Sequence, residues 1–292
     1  MGFSVTGAIA AFIFIWWYGN AKSIEAFKVD EARQQNQHLR SIEAFKVDEV
    51  RQENQHLRQE NQTLRNQKPK PITVNETFSY SLVKVPGKKL ALTTGDVIRC
   101  QCADIWVSSE NTNMQMARFF DQSVSAAIRY YGAKHKANGD VEEDTIALQL
   151  KDLLGGVSTV QPATVLVTGS GELEKSNKVK KIFHVAAVVG QARRGYRTID
   201  GVEDCVTNAL REAEKFPDCK TILFPLLGTG TAKDDIRTTA DRLFRTAISF
   251  LERSPASKIE SIYFLNFTDD QLEVCRILLE EHNGVIKPAI KS

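Results

Sequence analysis

A glycine-rich loop near the middle of the chain has the residue types that suit chemistry with phosphate. A buried strand, Ile222–Phe224, leads through Pro225 into Gly228-Thr229-Gly230-Thr231, and a helix follows. Glycines let such a loop turn its N–H groups inward, and a helix N-terminus behind it favours an anion. The loop is neither a P-loop nor a dinucleotide fingerprint, whose third glycine is replaced by Lys233. The alternative is a tight strand-to-helix connection that binds nothing.

Cysteine and histidine show no pattern typical of a metal or redox site. The five cysteines are odd in number and scattered, and the pair Cys100 and Cys102 lacks the two-residue spacing of zinc and redox motifs. We therefore expect free thiols in a reducing compartment. His184 lies in an apolar strand and is predicted to be a hydrogen-bonded core residue rather than a catalyst. No metal and no cofactor are expected.

Composition separates the chain into unlike parts. The 292 residues are 42% hydrophobic and carry a net charge of +2, enough for one large domain with appendages. This nearly balanced charge argues against a nucleic-acid platform, which normally has a strong basic excess. The first residues are apolar, the next stretch to about residue 68 is rich in Gln, Asn and charge, and the remainder has a globular composition.

The N-terminal apolar run predicts a membrane anchor over residues 1–20. Phe3–Tyr18 is uncharged and ends in an aromatic cluster, which is typical of a membrane interface. The run of 16 residues is short for a spanning helix, although a length of roughly 17 is tolerated. Lys22 and Lys28 follow it and nothing basic precedes it, so we expect a single pass with the bulk of the chain in the cytoplasm. The alternative is a helix buried in an oligomer.

An internal repeat follows over residues 21–68. The segment 23–40 recurs at 41–58, and 18 residues make five helical turns, so each copy presents the same face. A heptad then places Asn54 and Asn61 at a positions, where polar residues specify register and oligomer state. The pattern favours a parallel coiled-coil stalk and hence a homo-oligomer; the alternative is a solvated helix. Prolines in the linker at 69–75 end this helix.

From residue 76 to 292, strands alternate with helices, which predicts a layered α/β domain with ligands at the carboxyl ends of its strands. A hairpin is expected around Pro86-Gly87. The other expected strands are Val97–Val107, Ala163–Val167, Lys181–Val189, Thr221–Phe224 and Ile259–Phe267, and the expected helices are Ala117–Tyr131, Val141–Leu154, Val202–Lys215, Ile236–Arg253 and Asp270–Glu281.

Several motifs in this region resemble those of the macro domain, an α/β/α fold with a mixed sheet that binds ADP-ribose. Gly95-Asp96-Val97-Ile98 is similar to the family's Gly-Asp-Ile motif, whose aspartate accepts from the adenine amino group. Asn111 matches the last Asn of its motif near the distal ribose, and Pro225–Lys233 matches its diphosphate loop. Thr168–Gly171 resembles the segment before its central strand. Phe267 stands where an aromatic ring stacks on adenine in many members.

The resemblance therefore implies a ligand, ADP-ribose or a derivative, and a set of residues that bind it. Asp96 and Phe267 also have ordinary explanations, as a turn or helix cap and as a core ring. The implied ligand-binding residues are Asp96, Val97, Ser109, Asn111, Asp121, Gly169, Leu227, Gly228, Thr229, Gly230, Thr231 and Phe267.

The chain departs from macro-domain hydrolases after Asn111. Those enzymes carry a glycine triplet there, whereas this chain has the bulky segment Asn113–Asp121. Such a segment leaves no obvious place for an activated water, so a binding module is predicted rather than a hydrolase. Glu110 and Asp121 are the two acids available if the site were catalytic.

The order of anchor, stalk and macro domain resembles the membrane-tethered macro-domain effectors of bacterial Thoeris anti-phage systems. That likeness implies a bacterial inner-membrane protein that binds an NAD-derived nucleotide messenger made by a TIR-type enzyme and then disrupts the membrane. Its implied partners are further copies of itself, the membrane and the messenger, with no nucleic acid. Two other classes stay open: a membrane-tethered ADP-ribosyl-hydrolase, and a passive scaffold whose fold has lost its ligand.

Overall fold

The computed structural model describes residues 70–191, 195–229, 235–282 and 284–288. The chain divides into two units, Met1–Lys68 and Pro69–Ser292, and the described residues all belong to the second. The predicted anchor at 1–20, the stalk at 21–68 and two predicted site residues, Gly230 and Thr231, lie outside the described ranges. Within those ranges, no helix combines the length and the apolar character needed to cross a membrane.

The strands begin with the expected hairpin and continue in alternation with helices. They are β1 (Thr77–Leu82), β2 (Lys89–Thr94), β3 (Ile105–Asn111), β4 (Lys134–His135), β5 (Val141–Glu143), β6 (Val165–Gly169), β7 (Lys181–Gln191), β8 (Gly195–Thr198), β9 (Thr221–Pro225), β10 (Ser261–Asn266) and β11 (Ile286–Pro288). The helices are α1 (Val124–Gly132), α2 (Thr145–Leu154), α3 (Leu173–Asn177), α4 (Glu203–Ala213), α5 (Ile236–Arg253) and α6 (Asp269–Glu281).

The central sheet is mixed: its middle strands are parallel and its outer strands are antiparallel to their neighbours. Its strand order is β11-β1-β2-β10-β9-β3-β7-β6, and β8 pairs with β7. The five consecutive strands β2, β10, β9, β3 and β7 run parallel, whereas β1, β11, β6 and β8 are antiparallel to their neighbours. All five parallel strands therefore end on the same side of the domain. We call the row formed by their C-terminal ends the carboxyl edge, and the row formed by their N-terminal ends the amino edge.

Helices cover both faces of the sheet, as the three-layer prediction required. Alternate residues of each parallel strand point to opposite faces. In β3, Ile105 and Val107 join the core that α4, α5 and α6 cover, while Trp106 joins a second core under α1, α2 and α3. Burial of these alternating side chains on both faces is what holds a parallel sheet in the middle of a domain.

Three element predictions need correction. The strand expected from Val97 begins at Ile105, because Asp96 caps a 3-10 turn over Val97–Arg99 instead. The helix expected from Ala117 begins at Val124, where the Ser123 hydroxyl accepts from the backbone N–H of Ala126. The helix expected from residue 141 begins only at 145, because the first three residues pair with β4 in a small hairpin.

Candidate functional site

The carboxyl edge brings together segments that are far apart in sequence. The turn Gly95–Val97 follows β2, Phe267 follows β10, Leu226–Thr229 follows β9, and Asn111 ends β3. Because these strands are parallel neighbours, their following loops lie side by side. Ligands of open α/β sheets bind in the crevice outside such strand ends.

The loop after β2 presents a carboxylate next to an exposed ring. Gly95 adopts a left-handed backbone with φ of +85° and donates its N–H to the Asn266 carbonyl at 3.0 Å, which ties the loop to the end of β10. Asp96 Oδ1 accepts from the backbone N–H of Ile98 at 3.2 Å. Among the described residues no donor reaches the other oxygen, Oδ2. Phe267 is 48% exposed, so its ring is not a core residue.

The loop after β9 is a tight turn built on two buried leucines. Leu226 and Leu227 are buried, and the N–H and hydroxyl of Thr229 both donate to the Leu226 carbonyl, at 3.2 and 2.8 Å. Gly228 has φ of +85°, a backbone conformation that residues with a side chain rarely adopt. Its carbonyl accepts from the Thr198 hydroxyl at 3.5 Å. The described part of this loop is thus a hydrogen-bonded turn that follows β9, a central strand of the parallel group.

Asn111 lies at the end of β3, opposite a bulge in β7, and its side chain is held by two hydrogen bonds. The pairing of β3 with β7 shifts between Glu110 and Asn111, which leaves one extra residue on β7. The Asn111 amide donates to the Gly190 carbonyl at 2.9 Å, and its side-chain oxygen accepts from the Thr112 hydroxyl at 3.1 Å. The preceding predicted residue, Ser109, is partly buried within β3 rather than at its tip.

Glu110 lies in a buried polar network instead of the open site. Its carboxylate accepts from the hydroxyls of Ser108 at 2.5 Å and Ser125 at 2.9 Å, and it lies 3.4 Å from Nδ1 of His184. The other ring nitrogen of His184 is 3.1 Å from the Thr168 hydroxyl, so this histidine is hydrogen-bonded within the core, as expected. Buried polar groups satisfied in this way stabilise one arrangement of the fold.

The segment after Asn111 packs as an ordered loop rather than a helix. Met114 and Met116 are buried in the core beneath α1. Further along, Arg118 forms an ion pair with Asp121 at 2.9 Å. The hydrogen bond from this guanidinium lowers the pKa of the Asp121 carboxyl, which is already engaged in the ion pair.

One predicted site residue lies elsewhere. Gly169 ends β6, which is antiparallel to β7, and it pairs with Lys181 at the beginning of that strand. It therefore lies at the amino edge, and the sheet does not bring it to the other predicted residues. The sequence indicates a strand here but not its direction, and the direction decides at which edge the glycine emerges.

The linker before β1 is the part of this edge that sequence reasoning missed. Residues 70–75 were predicted only to separate stalk and domain, yet Asn75 donates its amide to the carbonyls of Thr94 at 2.7 Å and Asp96 at 3.3 Å. Ile72 donates its N–H to the Phe267 carbonyl at 2.8 Å. An isolated Asn before a strand is too common a feature to signal such contacts.

Comparison with known proteins identifies this architecture. Residues 107–243 match the family model described as the macro domain. The chain carries a macro domain. Solved structures agree with this fold: the Oceanobacillus iheyensis macrodomain with ADP has a TM-score of 0.54 at 16% identity, covering 73% of this chain and 99% of that one. A search of the curated proteins gives no match.

Two further structures of the same bacterial macrodomain give the same result. The form with MES bound has a TM-score of 0.54 at 16% identity, over 72% of this chain and 99% of that one. A point mutant with ADPR has a TM-score of 0.53 at 15% identity, over 72% and 100%. At such identities the likeness establishes the fold and not the ligand.

Proposed function

We propose that this macro domain binds ADP-ribose or a derivative of it at the carboxyl edge. The observation that carries the proposal is the convergence of three different recognition groups there. A carboxylate with a free oxygen (Asp96), a half-exposed aromatic ring (Phe267) and a tight glycine turn (Gly228) follow three strands in the order β2, β10, β9. Together they match the base and the diphosphate of a single nucleotide.

Each group has a defined role in this proposal. Asp96 Oδ2 accepts from the exocyclic amine of adenine, while Oδ1 keeps its bond to the Ile98 N–H. The ring of Phe267 covers one face of the base. The turn around Gly228 offers backbone N–H groups to the diphosphate. Asn111, held by the Gly190 carbonyl, then faces the distal ribose.

The proposed role is binding without hydrolysis. Glu110 is buried and its oxygens accept from two serine hydroxyls, and Asp121 is paired with Arg118. Neither acid is free to activate a water molecule at the distal ribose. The tethered hydrolase is the alternative. It predicts release of ADP-ribose from a modified protein, abolished in the Glu110→Gln or Asp121→Asn variant.

Calorimetric titration of the purified full chain tests the binding proposal. We expect saturable binding of ADP-ribose, weaker binding of AMP, and poor binding of an inosine analogue that lacks the adenine amine. The variant Asp140→Asn removes a carboxylate from an exposed turn between β4 and β5, and it should bind like wild type. No heat of binding with ADP-ribose or with an NAD-derived product mixture would refute the proposal and favour a passive scaffold.

We further propose that binding is the input of a membrane effector in anti-phage defence. The support comes from the sequence: an apolar run at 1–20, a repeat at 21–68 that favours a coiled coil, and the macro domain after them. In this proposal a TIR-type enzyme makes the messenger, the stalk holds a homo-oligomer, and the anchor sits in the bacterial inner membrane with the macro domain in the cytoplasm. Messenger binding rearranges the oligomer and disrupts the membrane.

Dye leakage from liposomes carrying the full chain tests this effector role. Leakage should require ligand, and Gly228→Val should abolish it, because a β-branched residue is strained at φ of +85° and obstructs the diphosphate. Gly139→Val, at φ of +88° in the exposed turn before β5, controls for backbone strain alone. Leakage without ligand, or a Gly228→Val protein that leaks like wild type, would contradict the proposal.

A further inference from the structure

Residues 70–76, which we call the strap, run across the carboxyl edge and connect two of its loops. At one end the strap pairs with the loop after β10. Pro71 and Thr268 form a β-bridge, the Ile72 N–H donates to the Phe267 carbonyl at 2.8 Å, and the Asp269 N–H donates to the Lys70 carbonyl at 3.2 Å. The strap thus fixes the backbone on which the Phe267 ring stands.

At its other end the strap holds the loop after β2. The hydroxyl of Thr94 donates to the Val74 carbonyl at 2.7 Å and accepts from the Glu76 N–H at 2.9 Å. The guanidinium of Arg99 donates to the Thr73 carbonyl at 2.9 Å. Asn75 inserts its amide between these contacts and binds the carbonyls of Thr94 and Asp96. The backbone on either side of the Asp96 carboxylate is therefore held by the strap.

The fit between strap and loop is close. A Cβ added at Gly95 would lie 3.0 Å from Oδ1 of Asn75 and 3.2 Å from the Val74 carbonyl oxygen. Gly95 also has φ of +85°, so a side chain there is excluded both by conformation and by space. The Asn75 amide meets three groups at once, since it also lies 3.4 Å from Sγ of Cys100. This is a shaped contact rather than a passing linker.

We propose that the strap is a positioning element for the base end of the ligand site, with Asn75 and Thr94 as its positioning residues. The proposal rests on the proposed binding of ADP-ribose. A base held between Asp96 and Phe267 needs both loops in place, and the strap is bonded to both. Because the strap is hydrogen-bonded to both loops, base binding and the docking of the strap stabilise each other, as linkage requires.

Two variants of the full chain test the positioning role. Asn75→Ala removes the side-chain amide. Thr94→Val replaces the hydroxyl of a buried side chain by a methyl group and keeps the side chain's shape. Each should weaken ADP-ribose binding by about three- to tenfold, because each removes hydrogen bonds that place a loop. The matched controls are Asn138→Ala on the turn between β4 and β5 and Thr246→Val on the exposed face of α5, and both should bind like wild type.

Hydrogen exchange of the same protein separates positioning from a merely structural role. AMP and ADP-ribose should slow exchange of the Ile72 and Glu76 amides severalfold, whereas ribose 5-phosphate, which has no base, should leave them unchanged. Thr94→Val should speed exchange at Glu76 without ligand and reduce the protection that AMP confers. A thermal unfolding curve for each variant establishes that it is folded.

The outcomes are distinct. If wild type fails to bind ADP-ribose, the proposed function is wrong and the strap's role falls with it. If wild type binds ADP-ribose but strap exchange is unaffected and both variants bind like wild type, the strap proposal alone is overturned. If Asn75→Ala is unfolded, the isosteric Thr94→Val decides the matter by the same two measurements.

Discussion

The amino edge and the carboxyl edge of the central sheet each carry an aspartate, and the two carboxylates differ in how many hydrogen bonds they accept. At the amino edge, Asp104 before β3 accepts from the N–H groups of Lys220 and Thr221 at 2.9 and 3.1 Å and from the Thr221 hydroxyl at 2.8 Å. Its other oxygen lies 3.1 Å from the Lys180 ammonium. At the carboxyl edge, Asp96 has one hydrogen bond and one oxygen without a donor among the described residues.

If the carboxyl edge binds the ligand as proposed, the difference separates groups that stabilise the sheet from groups that recognise a ligand. Burial alone would raise the pKa of Asp104, but the hydrogen bonds from Lys220 and Thr221 and the Lys180 ion pair outweigh it and lower the pKa. A carboxylate satisfied in this way fastens the starts of β3 and β9 and has no capacity left for a ligand. The carboxyl edge is ordered by the strap and by glycine turns, so its side chains stay available.

Breaking the amino edge should have the largest effect. Asp104→Ala leaves several donors unpaired and should lower the free energy of unfolding by about 2–3 kcal/mol, while the folded protein binds ADP-ribose like wild type. Urea unfolding and calorimetry of the full chain measure the two quantities. Asp218→Ala is the matched control, because its exposed carboxylate lies 3.8 Å from the same lysine and should contribute little. Weakened binding in folded Asp104→Ala would contradict the separation of the edges.

Removing the Asp96 carboxylate at the carboxyl edge should weaken ligand binding rather than lower the free energy of unfolding. Asp96→Ala should lose about 1.5–3 kcal/mol of ADP-ribose binding, about tenfold to a hundredfold in affinity, because a charge-assisted hydrogen bond is lost. Asp96→Asn keeps an acceptor for the Ile98 N–H and so separates capping from ligand recognition. Normal affinity in folded Asp96→Ala would exclude this residue from the base site.

The aromatic ring at the carboxyl edge should contribute less. Phe267→Ala should weaken ADP-ribose binding by about 1–2 kcal/mol, within the range for a base stacked on an aromatic ring, and it should hardly change stability because the ring is half exposed. Tyr131→Ala, at a ring that is 45% exposed on α1, is the matched control. Equal losses of affinity in the two variants would mean that the ring is not specific to the site.

The smallest expected effect is the pH dependence of the stability that the Asp104 carboxylate contributes at the amino edge. The pKa of Asp104 is lowered in the folded state, so its contribution to stability is present above the unfolded pKa of about 3.9 and is lost as pH falls through the folded pKa. Asp104→Asn should therefore be less stable than wild type by about 1 kcal/mol at pH 6. The difference should shrink below about pH 4. A constant difference across this range, measured by urea unfolding, would show that the charge is unimportant.

Local pattern was sufficient for most elements and failed where contacts decided the backbone. The helix Ile236–Arg253 was predicted with its observed ends, since it has strong amphipathic periodicity and Asp235 as a cap. The strand expected at Val97 was wrong because a side-chain cap and a 3-10 turn replaced apolar alternation. The β4–β5 hairpin was missed because its strands are two and three residues long, too short for any period to register.

The sequence by itself determined the α/β class, the macro-domain motifs and the residues Asp96, Asn111, Leu227, Gly228, Thr229 and Phe267, which the fold brings to one edge. It did so because glycine turns and buried strands are encoded by neighbouring residues. Only the tertiary structure decided that Gly169 emerges at the opposite edge, that Glu110 is buried, and that Asn75 binds the loop after β2. Those outcomes depend on strand direction and on pairings over long sequence separations, which no local pattern records.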